Sequence, residues 1–132
     1  EDWVRKLQQD AIMAQSTVKR PRPVWHGPAA AVYAKYNLGI ADEEVLSAVA
    51  CHTMGKINMS LLDKVLFVAD LTSQERDFPG VEELRAVAKE NLDEATVLAM
   101  QRRIDFVLES GRELDSDSAT VLEDMKRHAA KA

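Results

Sequence analysis

Two histidines, one carboxylate and two cationic side chains stand at places in this sequence where packing alone explains them poorly. His26 opens a His26-Gly27-Pro28 run, His52 follows Cys51, Asp70 ends an apolar stretch, and Lys56 and Arg76 lie in connecting segments. Neutral imidazole is a frequent metal ligand and titrates nearest to physiological pH. His52 follows Val45 and Val49 at helical spacing, which puts a polar ring on an inward face. A bond to a backbone carbonyl and a bound ligand would each satisfy that ring. His26, at a helix start, fits a cap or a ligand, while His128 sits in a lysine- and alanine-rich tail and reads as solvated surface.

Asp70 is the hardest to place blandly. It falls at the C-terminal end of an apolar helix, where the dipole already concentrates negative charge and desolvation penalises a carboxylate. Something positive must face it: a salt bridge to Arg76, a polar seam shared with Asp63, or a metal ion. Lys56 and Arg76 are solvated loop cations or holders of phosphate oxygens, Arg through its planar fork and Lys as a point charge.

The elements that must position these residues follow from periodicity and breakers. A first helix is predicted from about Asp2 to Gln15, with Trp3, Val4, Leu7, Ala11 and Ala14 on one face, and Lys19-Arg20-Pro21-Arg22-Pro23 forces a loop after it. A second helix begins at His26-Gly27-Pro28 and runs to about Tyr36; a third starts at Ala41-Asp42-Glu43-Glu44 and ends near His52. Ser60 with Asp63 forms a capping box with a short acid, opening a fourth helix from Leu61 to about Leu71. The run Val65-Leu66-Phe67-Val68-Ala69 is apolar on every side, which predicts a helix at the centre of the core.

After a polar loop closed by Pro79-Gly80, Val81 to Glu90 and Asn91 to Ser110 read as a short helix leading into a long one, with Val97, Met100, Ile104, Val107 and Leu108 facing inward. Gly111 stops it, Glu113 to Ser118 is a polar connection, and a last helix starts at about Ala119. The expectation is a single all-α domain over residues 1–132.

Composition agrees. With 132 residues, 46% of them apolar, and only 5 glycines and 4 prolines, the chain is one helical domain rather than a β-sandwich. A net charge of -5 argues against non-specific binding to nucleic acid or an anionic membrane. The single cysteine, Cys51, excludes an intramolecular disulfide framework and reads as a packing residue; no apolar run approaches a bilayer span. Together these features point to the cytoplasm.

The order of motifs, His26-Gly27-Pro28, Cys51-His52-Thr53-Met54-Gly55, Met59-Ser60-Leu61-Leu62-Asp63-Lys64, Phe67-Val68-Ala69-Asp70 and Arg76-Asp77-Phe78-Pro79-Gly80-Val81, resembles the YqeK-type bacterial HD-domain family. That resemblance covers His26 to the end of the chain. It implies an all-helical HD bundle, here its C-terminal portion, and a symmetrical diadenosine tetraphosphate hydrolase that releases two ADP. It implies iron, or another divalent metal, with Asp70 as the final Asp ligand. It places His26, His52, Thr53 and Arg76 against phosphates or a second metal, and Glu113, Leu114, Asp115, Ser116, Asp117 and Ser118 against the nucleotide, with Lys56 as a weaker phosphate candidate. Diadenosine tetraphosphate or ADP is the implied ligand, and a homodimer is compatible with it.

The family pattern also carries an earlier His and a His-Asp dyad, and no His precedes His26 here. The Trp3 segment resembles the stretch that follows the dyad, so the expectation is an N-terminally truncated domain whose isolated chain binds metal weakly and turns over negligibly. In the intact protein, a metal-bound hydroxide would attack an inner phosphorus while His26, His52 and Arg76 offset charge on the phosphate oxygens. The competing readings are a non-catalytic helical module that binds nucleotides or a protein, and an HD phosphohydrolase acting on another nucleotide.

Overall fold

Local sequence starts and stops the helices. The structure, a computed structural model, describes residues 26–131; the expected first helix and the Lys19–Pro23 loop lie outside the described residues. Six helices follow: α1 (His26–Asn37), α2 (Glu43–Cys51), α3 (Leu61–Thr72), α4 (Val81–Glu90), α5 (Leu92–Glu109) and α6 (Ser118–Lys131). Asp42 caps α2 by accepting from the Glu44 and Val45 amides, with Glu43 and Glu44 in its first turn. Ser60 and Asp63 form the predicted capping box on α3: the Asp63 amide donates to Ser60 Oγ at 3.1 Å and the Ser60 amide to Asp63 Oδ2 at 2.9 Å. Asn91 ends α4 and caps α5 by accepting from the Glu94 amide, which puts a sharp corner between the two.

Packing runs α1 on α2, α2 on α3, α3 on α5 and α5 on α6, with α4 bridging α3 and α5. Phe67, Leu84 and Met100 are wholly buried where α3, α4 and α5 meet. Each contributes about 1.5–3 kcal/mol by leaving water. Val121, Leu122 and Met125 bring α6 onto the same cluster. The loop between α2 and α3 is pinned to α6, since the Asn58 amide donates to Asp124 Oδ2 at 2.9 Å while Gly55 lies against Met125 and Val121.

Two expectations about faces are corrected. The α3 helix is not central among the described residues: Phe67, Val68 and Leu71 are buried, but Leu61 is 71% and Val65 45% exposed. It packs against α2, α4 and α5, and its apolar run nonetheless leaves Leu61 and Val65 exposed. On α5 the buried residues are Ala95, Thr96, Ala99, Met100 and Ile104, with Val97 packed against the core as expected, whereas Leu108 is exposed.

Candidate functional site

The C-terminal end of α3 is where the predicted chemistry gathers. Asp70 stands two residues before the helix ends, with the last carbonyls beside it. Arg76, in the loop that follows, folds back on it: Nε donates to the Asp70 carbonyl at 2.8 Å, and Nη2 lies 3.4 Å from Asp70 Oδ1. Of the partners that sequence left open for Asp70, the salt bridge is formed, whereas Asp63 is engaged elsewhere and shares no seam with it.

Two further guanidinium groups, neither of them singled out from sequence, complete this end. Arg85 on α4 donates to the carbonyls of Thr72 at 3.1 Å, Ser73 at 2.8 Å and Arg76 at 2.9 Å, and pairs with Glu82 through its remaining nitrogen. It thereby satisfies carbonyls that a helix C-terminus leaves open, with charge of the sign the dipole favours. Arg103 on α5 is half-buried near both Asp70 and Arg76. Burial pushes its guanidinium below arginine's ordinary value; Asp70 opposes that shift and Arg76 adds to it. The signal for Arg103 was its spacing, three residues after Met100 and seven after Thr96, which puts a cation on the inward face. Arg85 had no comparable signal, because its acceptors lie 9 to 13 residues away in a loop.

His52 and Thr53 lie at the other end of the bundle's first half. His52 is the C-cap of α2, its Nδ1 is bonded to the Val49 carbonyl, and its Nε2 lies 3.4 Å from Thr53 Oγ1. The carbonyl-bonded histidine is thus the arrangement present. The start of α1 meets the end of α2 closely: a Cβ on Gly27 would lie 2.3 Å from the Ala50 carbonyl oxygen.

Lys56 points into a buried polar knot rather than standing alone. It is bonded to Ser47 Oγ and lies 3.4 Å from Asp63 Oδ2, while Ser47 Oγ donates to Asp63 Oδ1 at 3.0 Å. Asp63 is 1% exposed. Burial works against its charge, but the Ser60 amide, the Ser47 hydroxyl and Lys56 together hold its carboxyl below the ordinary value. The same knot acts on Cys51, whose thiol is pushed up to about 12, first by burial and then by Asp63.

In the 113–118 connection, Glu113, Ser116 and Asp117 are exposed, Leu114 is half-buried, and Asp115 and Ser118 are buried. The Ser118 amide donates to the Asp115 carbonyl at 3.1 Å, and the Asp117 amide to Asp115 Oδ2 at 3.2 Å, so the connection is a folded turn leading into α6. His128 is solvated as expected, its side chain 40% exposed, and its Nδ1 is bonded to the Asp124 carbonyl at 2.9 Å and lies 3.4 Å from Asp124 Oδ2.

Among the described residues no group of three or more His, Cys, Asp or Glu side chains is placed to hold a metal. Asp70 alone is a carboxylate at the expected position, and its Oδ1 already faces Arg76. The described residues by themselves do not fit a complete metal centre.

An all-α bundle with Asp70 at this helix end has the fold of the HD superfamily. A solved structure from Clostridium acetobutylicum, named a predicted HD superfamily hydrolase involved in NAD metabolism, matches with a TM-score of 0.75 at 28% identity, covering 96% of this chain and 67% of that one. HD hydrolases as a class depend on divalent metals.

In sequence the chain is a homologue of the symmetrical bis(5'-nucleosyl)-tetraphosphatases. It is 36% identical to that of Halalkalibacterium halodurans over 115 residues, which is 87% of this chain and 62% of the relative. To that of Bacillus subtilis it is 34% identical over 95 residues, 72% of this chain and 51% of the relative. The chain thus spans between half and two thirds of the length of these two relatives. No family model matches it.

Proposed function

We propose that the protein is a metal-dependent hydrolase that splits diadenosine tetraphosphate symmetrically into two ADP, and that these residues form its nucleotide-facing part. The observation that carries this reading is the guanidinium cluster at the end of α3, in a chain homologous to symmetrical tetraphosphatases. With Arg85 engaged by carbonyls and Glu82, Arg76 and Arg103 face a single carboxylate, Asp70, which leaves a positive surplus suited to phosphate oxygens. In this reading Arg76, with His26, His52 and Thr53, holds phosphates, residues 113–118 meet the nucleoside, and Lys56 is at most an outlying contact because Asp63 and Ser47 already engage it.

Asp70 would supply one carboxylate ligand to a divalent cation, iron in our reading, whose other ligands would have to come from beyond the described residues. The chain's own groups bind and orient: Arg76 holds an anion near Asp70, and an imidazole can pass a proton to the leaving ADP oxygen. The 132 residues alone are expected to turn over negligibly. A cytoplasmic location and a homodimer belong to the same reading.

The test is product identity. The protein as made in its own cell, incubated with diadenosine tetraphosphate and ferrous iron, is expected to release ADP alone; ATP plus AMP would assign an asymmetric hydrolase instead. Calorimetry of the 132-residue chain with ADP tests the binding half, and an absence of binding would remove this reading. The Asp70–Arg76 pair favours one second reading, a non-catalytic ADP-binding module, which predicts ADP binding with no turnover in the intact protein.

A further inference from the structure

Arg85 spends most of its donors inside the fold. Its Nε and Nη2 go to three carbonyls, those of Thr72, Ser73 and Arg76, and its Nη1 goes to Glu82. Every nitrogen of the fork has an acceptor within the protein, so four of its five N–H donors are committed inside the chain. All three carbonyls belong to the end of α3 and the loop that returns Arg76 to Asp70. The loop has little else to define it: Arg76 N donates to the Ser73 carbonyl at 3.0 Å, and Val81 N to the Phe78 carbonyl at 3.0 Å where α4 begins.

We propose that Arg85 is a positioning residue, which by gathering the carbonyls of Thr72, Ser73 and Arg76 onto one fork fixes the guanidinium of Arg76 beside Asp70 and so presents it to a nucleotide's phosphate. The geometry requires arginine. A planar fork reaches three acceptors at once, whereas a lysine ammonium on a flexible stem gathers them without fixed direction. This role rests on the reading of Arg76 as a phosphate-binding residue, but its effect on the loop does not.

The test is a double-mutant cycle in the 132-residue chain, with ADP affinity read by calorimetry for wild type, Arg85→Ala, Arg76→Ala and the double variant. Arg85→Ala is expected to weaken ADP by about tenfold, and to cost nothing further once Arg76 is alanine, because a positioning residue acts through the group it positions. Arg85→Lys, which keeps the charge and the fold, is expected to lose affinity as alanine does. Hydrogen exchange of the Arg76 and Val81 amides is expected to quicken by about tenfold in both Arg85 variants, with α5 amides unchanged.

Additive losses in the cycle, or full affinity in Arg85→Lys, would overturn the proposal. If wild type does not bind ADP, the functional reading fails by itself, and the exchange data alone then decide: unchanged protection of the loop in Arg85→Lys sinks the positioning role.

Discussion

Arg76 grips Asp70 at two places, its Nε on the backbone carbonyl at 2.8 Å and its Nη2 3.4 Å from Oδ1. One side chain therefore neutralises both the dipole end of α3 and the carboxylate that adds to it. With Asp70 a third exposed and Arg76 more so, solvent screens the pair, and its contribution to stability is only about 0.2–1 kcal/mol. Its importance lies in where it holds two charges.

Asp70→Asn is accordingly expected to move the melting temperature by no more than about 4 °C, because a screened pair is lost and nothing is left buried. In the intact protein the same change is expected to abolish hydrolysis. A large fall in melting temperature would show Asp70 to be structural, and retained turnover would remove it from the site.

Asp63 behaves in the opposite way. Its carboxylate is buried and bonded to the Ser60 amide, Ser47 and Lys56, so Asp63→Ala strands several donors and is expected to cost about 3 kcal/mol in urea unfolding. A cost below about 1 kcal/mol would mean that water replaces the carboxylate without loss.

The acid limb of stability follows from Asp63 and Asp124. Asp124 is held below the ordinary value chiefly by the Asn58 amide, against burial and with help from His128 and Arg127. A carboxyl depressed in the folded state stabilises above its unfolded value of 3.8 and loses that contribution as pH falls through its folded value. Unfolding free energy is therefore expected to decline progressively below about pH 4–5, and the Asp63→Asn, Asp124→Asn double variant to show a flatter decline. An unchanged acid slope in that variant would count against both assignments.

Cys51 is expected to resist alkylation. With its thiol pushed from 9.0 to about 12, the thiolate is about a thousandfold scarcer than in an ordinary cysteine at pH 8. Iodoacetamide labelling of the native chain should be correspondingly slow and become ordinary in urea. Equal rates in the two states would contradict the buried setting.

Gly27 and Gly39 make a matched comparison. A Cβ on Gly27 would strike the Ala50 carbonyl at 2.3 Å, and backbone cannot step aside, so Gly27→Ala is expected to cost about 2–4 kcal/mol. Gly39 has φ +70 with open space around it, so Gly39→Ala carries only about 1–2 kcal/mol of backbone strain. Equal costs, measured by denaturant unfolding, would show that the α1–α2 approach is not tight.

The sequence by itself determined what is local. Caps, breakers and helical period are set by residues three or four apart, so Asp42, the Ser60–Asp63 box, Asn91 and Gly111 placed the described helices to within a residue or two. The same local reading put Asp70 at a helix end in need of a cation and named Arg76 as one candidate, six residues away.

Tertiary structure decided which faces are covered and which charges meet. An all-round apolar run on α3 cannot announce that Val65 points outward, because exposure depends on which helices arrive from elsewhere. The fork of Arg85 and the burial of Arg103 beside Asp70 bring together residues from α3, α4 and α5 that share no period and no motif. Asn58 likewise reaches Asp124 across the fold, 66 positions away in the chain, whereas His128 meets that carboxylate as an i,i+4 neighbour on α6. A charge's partner is fixed by distance in space, which chain spacing encodes only within one helix.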